Sequence, residues 1–141
     1  MKNPMSKSAW ILVLGCVLAS AGCETSDSAL EIEGTYTDPW GGAVEITSDQ
    51  VTLAGMGRYL VASFDNGGNW LVAQNAADND YNPDLWSRFD WTEHAGSLYL
   101  CQTAYAAATE AAARDTAPAD PSDPANGGCG GFAWTLLTPA Q

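Results

Sequence analysis

The sequence predicts a mainly β domain, a small antiparallel barrel or sandwich built as a meander, with one alanine-rich helix before the last strand. Three observations predict it. Short apolar segments recur from residue 31 onward, separated by turns rich in Gly, Asn and Asp. Asp65-Asn66-Gly67-Gly68 is a hairpin signal, because Asn-Gly and Gly-Gly readily supply the positive φ that tight hairpins need. The run at 104–114, with seven alanines, has a composition that favours a helix.

The strands are expected at 31–37, 43–47, 50–53, 58–64, 69–75, 85–92 and 97–102, with 132–137 closing the sheet. Turn chemistry at 38–42, 48–49, 65–68 and 94–96 separates neighbours by only a few residues, which is the spacing of an antiparallel meander. Thr103 is the expected N-cap of the helix over 104–114, and Arg114 in its last turn complements the helix dipole. Residues 115–131 are rich in Pro, Asp and Gly and show no apolar periodicity, so they read as a loop.

The chain has 141 residues, enough for one compact domain. It carries 17 acidic residues against 5 Lys and Arg, a formal net charge of −12. Phosphate contacts need surplus cations, so this balance argues against nucleic-acid binding and against adsorption to an anionic membrane face. His94 is the single histidine, which excludes a multi-histidine metal site. The first 22 residues differ from the rest: Lys2 and Lys7 precede an uncharged apolar run over 9–19, followed by Ser20, Ala21 and Gly22. That run falls short of the about 20 apolar residues a spanning helix needs and has the charged start and small-residue end of a secretory signal peptide. The expected division is a signal peptide over 1–22, Cys23 with a short tether to residue 30, and a single domain over 31–141. Once the signal is removed, 17 carboxylates face only Arg58, Arg88 and Arg114, a formal charge of −14 with no lysine. Lysine Schiff-base chemistry and a phosphate-loop lysine are then excluded.

Cys101 and Cys129 fall in the exported domain, where an oxidising compartment favours a disulfide between them. No basic residue adjoins either thiol to lower its pKa, so a reactive cysteine has less support.

Two segments could hold chemistry. Alternation along 85–92 places Leu85, Ser87, Phe89 and Trp91 on one face and Trp86, Arg88, Asp90 and Thr92 on the other. Facing the interior, Trp86, Arg88 and Asp90 would line a mouth for a sugar or an organic anion; facing outward, Arg88 and Asp90 form a structural ion pair. Asp78, Asp80, Asn82 and Asp84 set oxygens at every second position, like the start of a calcium loop. Pro83 and Phe89 stand where such a loop carries Gly and Glu, so the alternative is a polar loop with no ion. Calcium is the one candidate ion, and no other cofactor is indicated. Glu93-His94 is one part of a catalytic triad, but no nucleophile elbow accompanies it and an exposed turn histidine is the simpler reading. No two carboxylates stand out as a glycosidase pair. The expectation leans away from an enzyme.

Ser20-Ala21-Gly22-Cys23 resembles the lipobox of bacterial lipoproteins, with Ser20 where Leu is usual. The resemblance implies cleavage before Cys23, lipidation of its thiol and acylation of the new amino terminus. Val13-Leu14-Gly15-Cys16 also fits the pattern, but cleavage there would leave an apolar core of about seven residues, at the bottom of the usual range. Glu24 is not the Asp that retains many lipoproteins at the inner membrane, which implies the outer membrane. From residue 32 to 139 the chain looks like an uncharacterised group of small exported bacterial lipoproteins. The resemblance rests on Gly34-Thr35-Tyr36, Leu85-Trp86-Ser87-Arg88-Phe89-Asp90-Trp91, Cys101-Gln102-Thr103-Ala104-Tyr105 and Cys129-Gly130-Gly131-Phe132. Gly34-Thr35-Tyr36 also echoes the G-x-W of lipocalin-like first strands, an analogy that bears on fold class alone. The expected function is a non-enzymatic binding or surface module at the membrane, partnered by an envelope protein or a small ligand. The alternatives are a calycin-like carrier of a small ligand and, third, a hydrolase.

Overall fold

The computed structural model describes residues 29–141; the signal segment, Cys16 and Cys23 lie outside the described residues. Eight strands follow in chain order: β1 (Gly34–Thr37), β2 (Ala43–Ile46), β3 (Gln50–Leu53), β4 (Gly57–Asp65), β5 (Trp70–Asn75), β6 (Trp86–His94), β7 (Ser97–Ala107) and β8 (Thr135–Pro139). Each pairs antiparallel with its sequence neighbours, and β8 returns to β1, so the sheet closes into a barrel with no free edge. Of the two expected architectures, the barrel is the one formed.

Alternation decides what fills it. Leu71 faces Phe89 across β5 and β6, and Trp91 faces Leu100 across β6 and β7. All four are buried in one apolar cluster with Val44, Ile46, Val51 and Leu137. The Tyr59 and Phe89 rings meet edge to face with centroids 5.0 Å apart. β4 carries a bulge between Val61 and Ser63, which bends this long strand around the cylinder.

The two ends of the barrel differ. The chain enters at the end that holds the short turns β2–β3, β4–β5 and β6–β7, and residues 29–33 plug it. Leu30 and Ile32 are buried there. Their backbone is held by Leu30 N–H donating to Ser48 Oγ at 3.0 Å and Glu31 N–H to Asn66 Oδ1 at 3.0 Å, while Asn66 Nδ2 donates back to Ala29 O. Trp91 Nε1–H reaches Glu31 Oε1 at 2.6 Å from inside the barrel. Tyr36 folds back over Gly34 to donate its hydroxyl to Ile32 O at 2.9 Å; a Cβ at Gly34 would sit 2.9 Å from that hydroxyl, which is why this position is glycine. Leu30, expected to end the tether, thus belongs to the core.

At the opposite end β7 and β8 are joined by a long excursion over residues 108–134. It contains the helix α1 (Glu110–Arg114), which packs on the outside of β5, β6 and β7. Cys101 and Cys129 form the expected disulfide, Cα atoms 5.7 Å apart, and fasten the excursion to β7. Gly128, at φ +91, lies so close to Asp120 O that a Cβ would be 2.0 Å from it. Trp134 caps this layer, donating Nε1–H to Asp120 O at 3.1 Å while its backbone N–H bonds Pro124 O.

The helix is shorter than its alanine content suggests. β7 continues through Ala104 and Ala107 because Arg88 and Trp86 of β6 pair with them, and Asn75 Nδ2 takes Tyr105 O at 3.0 Å. Sheet pairing outweighs the modest helix preference of alanine. The N-cap is accordingly Thr109, whose Oγ1 accepts Ala112 N–H at 3.1 Å, and not Thr103. β1 begins three residues later than expected because residues 31–33 turn to make the plug, and β8 begins at Thr135 because Phe132 belongs to the excursion.

Replacing both Cys101 and Cys129 with Ala is expected to lower unfolding free energy by about 3.6 kcal/mol, the chain-entropy worth of a 28-residue loop. The urea midpoint measures this, and an unchanged midpoint would contradict it.

Candidate functional site

The structure resolves the two faces of β6. Ser87, Phe89 and Trp91 point into the barrel; Trp86, Arg88 and Asp90 point outward. Arg88 and Asp90 are nevertheless buried, at 6% and 4% exposure, because the excursion lies over them. Arg88 Nε donates to Asp90 Oδ1 at 2.9 Å, and Arg88 Nη1 donates to the carbonyls of Arg114 and Thr116 at the end of α1. Asp90 Oδ2 accepts the Ala119 N–H at 2.9 Å. The pair therefore fastens three backbone groups of a segment that has no sheet or helix bonds of its own to satisfy them. Arg88 Cζ also lies 5.6 Å from the centroid of Trp70, with Arg114 Cζ at 6.0 Å from the same ring. Val72, Cys101, Ala113 and Trp134 supply the apolar part of this outer layer. Trp86 is half-buried beside Gln74 and Ala107, its ladder partners. These three residues do not line the barrel interior.

The acidic loop between β5 and β6 is held by an ion pair and by backbone bonds to β5. Arg58 Nη2 lies 2.8 Å from both Asp78 carboxylate oxygens, and this contact holds the Asp78 carboxyl below its ordinary range. Asn82 and Asp84 adopt positive φ, which turns the loop back onto β5: Asn75 Nδ2 donates to Asn82 O at 2.8 Å and Asp84 N–H to Asn75 O at 3.1 Å. Among the described residues no group of three or more His, Cys, Asp or Glu side chains is placed to hold a metal. The expected calcium arrangement of Asp78, Asp80, Asn82 and Asp84 is thus replaced by an ion pair and a folded-back loop. His94 is exposed at the end of β6, in the β6–β7 hairpin on the plugged end.

The surface carries several cavities of about 290–380 Å³. The open end of the barrel, opposite the plug, holds a cavity of about 380 Å³ whose floor is Val44, Phe89, Leu100 and Leu137 and whose rim includes Trp40, Met56 and Phe132. An adjoining cavity of about 290 Å³ shares Met56, Gln102 and Tyr105 and adds Tyr59, Asn75 and Tyr81. A third, polar cleft of about 330 Å³ flanks the β3–β4 turn beside Arg58, Asp78 and Asp80. Trp40, Phe132 and Tyr81 are 82%, 77% and 76% exposed, an unusual state for large apolar rings that all belong to one end of a barrel.

Beneath the rim sits a polar layer. Gln102 Nε2 donates to Ser87 Oγ at 3.0 Å, and Ser87 Oγ–H donates to Asn75 Oδ1 at 2.6 Å. Asn75 Nδ2 is held by the carbonyls of Asn82 and Tyr105. Burial raises the Tyr59 phenol above its ordinary 10.0, with a bond to Gln102 pulling the other way, so it stays protonated at neutral pH. No buried side-chain polar atom among the described residues lacks a partner. The layer presents amide and hydroxyl groups to the cavity, and its internal bonds fix them in place.

Sequence reasoning missed these mouth residues, although a signal was present. Trp40, Met56, Tyr81 and Phe132 all lie in the alternate connections β1–β2, β3–β4, β5–β6 and β7–β8, which a meander brings to one end. The chain matches no protein-family model, no curated protein and no solved structure.

Asp90→Asn and Arg88→Met are each expected to cost about 3–5 kcal/mol, since each leaves a buried partner uncompensated. The Arg88→Met/Asp90→Asn double variant is expected to lose less than the sum of the two singles. Denaturant unfolding of the four proteins measures the coupling, and additive losses would contradict a buried pair.

Proposed function

We propose that this chain is an exported lipoprotein, anchored through lipid on Cys23, whose barrel is a non-enzymatic binding module with its open end as the ligand site. One observation carries the binding reading: an apolar cavity of about 380 Å³ opens at one end of a barrel whose other end is plugged by its own chain. That volume lies in the range of small-molecule sites, about 300–1,000 Å³. Apolar walls with a few fixed polar groups, here Gln102, Tyr59 and Asn75, are the usual composition of such sites.

The reading of the anchor rests on the lipobox-like Ser20-Ala21-Gly22-Cys23. Leu30 sits at the plugged end, and seven residues of chain reach at most about 25 Å, so lipid on Cys23 would set the plugged end toward the membrane and the mouth away from it. A binding role without catalysis has the further support that the polar groups below the mouth are bonded to one another and that His94 lies at the far end. The outer membrane follows from Glu24 in the position after Cys23. Between a packed surface module and a small-ligand carrier, the cavity favours the carrier, with the site at the mouth in place of Trp86 and Arg88.

Metabolic labelling with a palmitate analogue tests the anchor. Wild type and Cys16→Ala are expected to take the label and partition with membranes, whereas Cys23→Ala takes none and is released. Label retained by Cys23→Ala would overturn it.

A further inference from the structure

We infer that the ligand of the mouth is a compact apolar organic cation, an amine or quaternary ammonium on an aromatic or branched aliphatic body. This rests on the mouth being the binding site and adds the charge and size of what it takes.

Charge is the first argument. Among the described residues there are three cationic side chains besides His94, and each is matched to a carboxylate: Arg58 to Asp78, Arg88 to Asp90, and Arg114 to Glu110. The same residues contain 15 Asp and Glu. An anionic ligand in the mouth would meet no unpaired guanidinium there and would face a surplus of negative field. Arg88 lies under the excursion on the outside of the barrel and Arg114 belongs to the excursion's helix, and neither lines either mouth cavity.

The lining supplies the second. In the larger cavity the only charged residue is Asp38, and the smaller cavity has none. Asp38 is fixed in place, its Oδ1 accepting the N–H groups of Trp40 at 2.9 Å and Gly42 at 2.7 Å. The rings of Trp40, Phe132, Tyr105 and Phe89 line the same cavity. Aromatic faces carry negative quadrupole charge and attract ammonium groups, most strongly where water is partly excluded. A cavity lined by one fixed carboxylate and several electron-rich rings is complementary to a cation and repels an anion.

Size completes the argument. A cavity of about 380 Å³ is at the small end of ligand sites and suits one compact molecule in preference to a polymer segment. Its floor of Val44, Leu100 and Leu137 requires an apolar body, since an uncompensated polar group there would be desolvated without a partner.

Calorimetric titration of the full-length chain at pH 7 with three near-isosteric probes tests this: tert-butylbenzylammonium, tert-butylbenzyl alcohol and tert-butylbenzoate. The ammonium is expected to bind about tenfold tighter than the alcohol, with the carboxylate weakest. Asp38→Asn is expected to narrow the gap between ammonium and alcohol, and Phe132→Ala to weaken whatever binds. Alcohol or carboxylate binding as tightly as the ammonium overturns the cation and leaves the mouth as the site. No binding by any probe, or binding that Phe132→Ala does not touch, overturns the mouth as well.

Discussion

The Arg88–Asp90 pair is the interaction on which the layout of this molecule depends. It sits on the outside of a barrel strand, where such a pair would ordinarily be solvated and worth little. Here it is covered, and its remaining hydrogen-bonding capacity is spent on backbone groups of Arg114, Thr116 and Ala119. Those groups lie at and just past the end of a helix of five residues, too short to be stable alone. The cost of burying two charges is offset only because each finds several partners in fixed geometry. The barrel thereby orders a Pro- and Gly-rich segment that its own composition would leave without structure.

What the pair holds has consequences at the mouth. The excursion runs from the end of β7 to the start of β8, and its last part carries Cys129, Phe132 and Ala133 into the wall of the larger cavity. Two restraints act on it at different places, the ion pair near its beginning and the disulfide near its end. Without the first, α1 and the loop after it lose their seat on β5–β7; without the second, Phe132 is free of β7. The mouth is thus built from barrel floor and excursion rim, and its shape is inherited from contacts on the outside of the sheet.

Most of the barrel was legible in the sequence because turn chemistry is local. Gln50–Leu53 begins and ends where alternation and the flanking turns set it, and the Asp65–Asn69 turn joins two long strands as its Asn-Gly content requires. The helix stands before the last strand as its composition predicts, but it starts at Glu110 because 104–107 answer to β6 across the sheet, a long-range pairing that propensity does not register. Period two places Arg88 and Asp90 on one face and leaves open whether it points in or out; their burial outside the barrel has no mark in the pattern. Arg114, Thr116 and Ala119 meet them through two backbone carbonyls and an amide, groups every sequence possesses, so no side-chain pattern announces the contact. The acidic loop misled in the opposite way: oxygen spacing was visible, whereas the Arg58 that takes Asp78 comes from a strand twenty residues earlier. The mouth was partly legible, in the large apolar residues of the alternate turns, once the meander is taken to send those turns to one end.

Hydrogen exchange at the Ala119 amide, whose proton is held by Asp90 Oδ2, is the most direct measure of whether the buried pair organises the excursion. If it does, this amide in a loop exchanges as slowly as the Trp91 amide in β6, through global unfolding alone. Exchange at the rate of an unprotected loop amide would show that the excursion opens on its own and that the pair does not hold it.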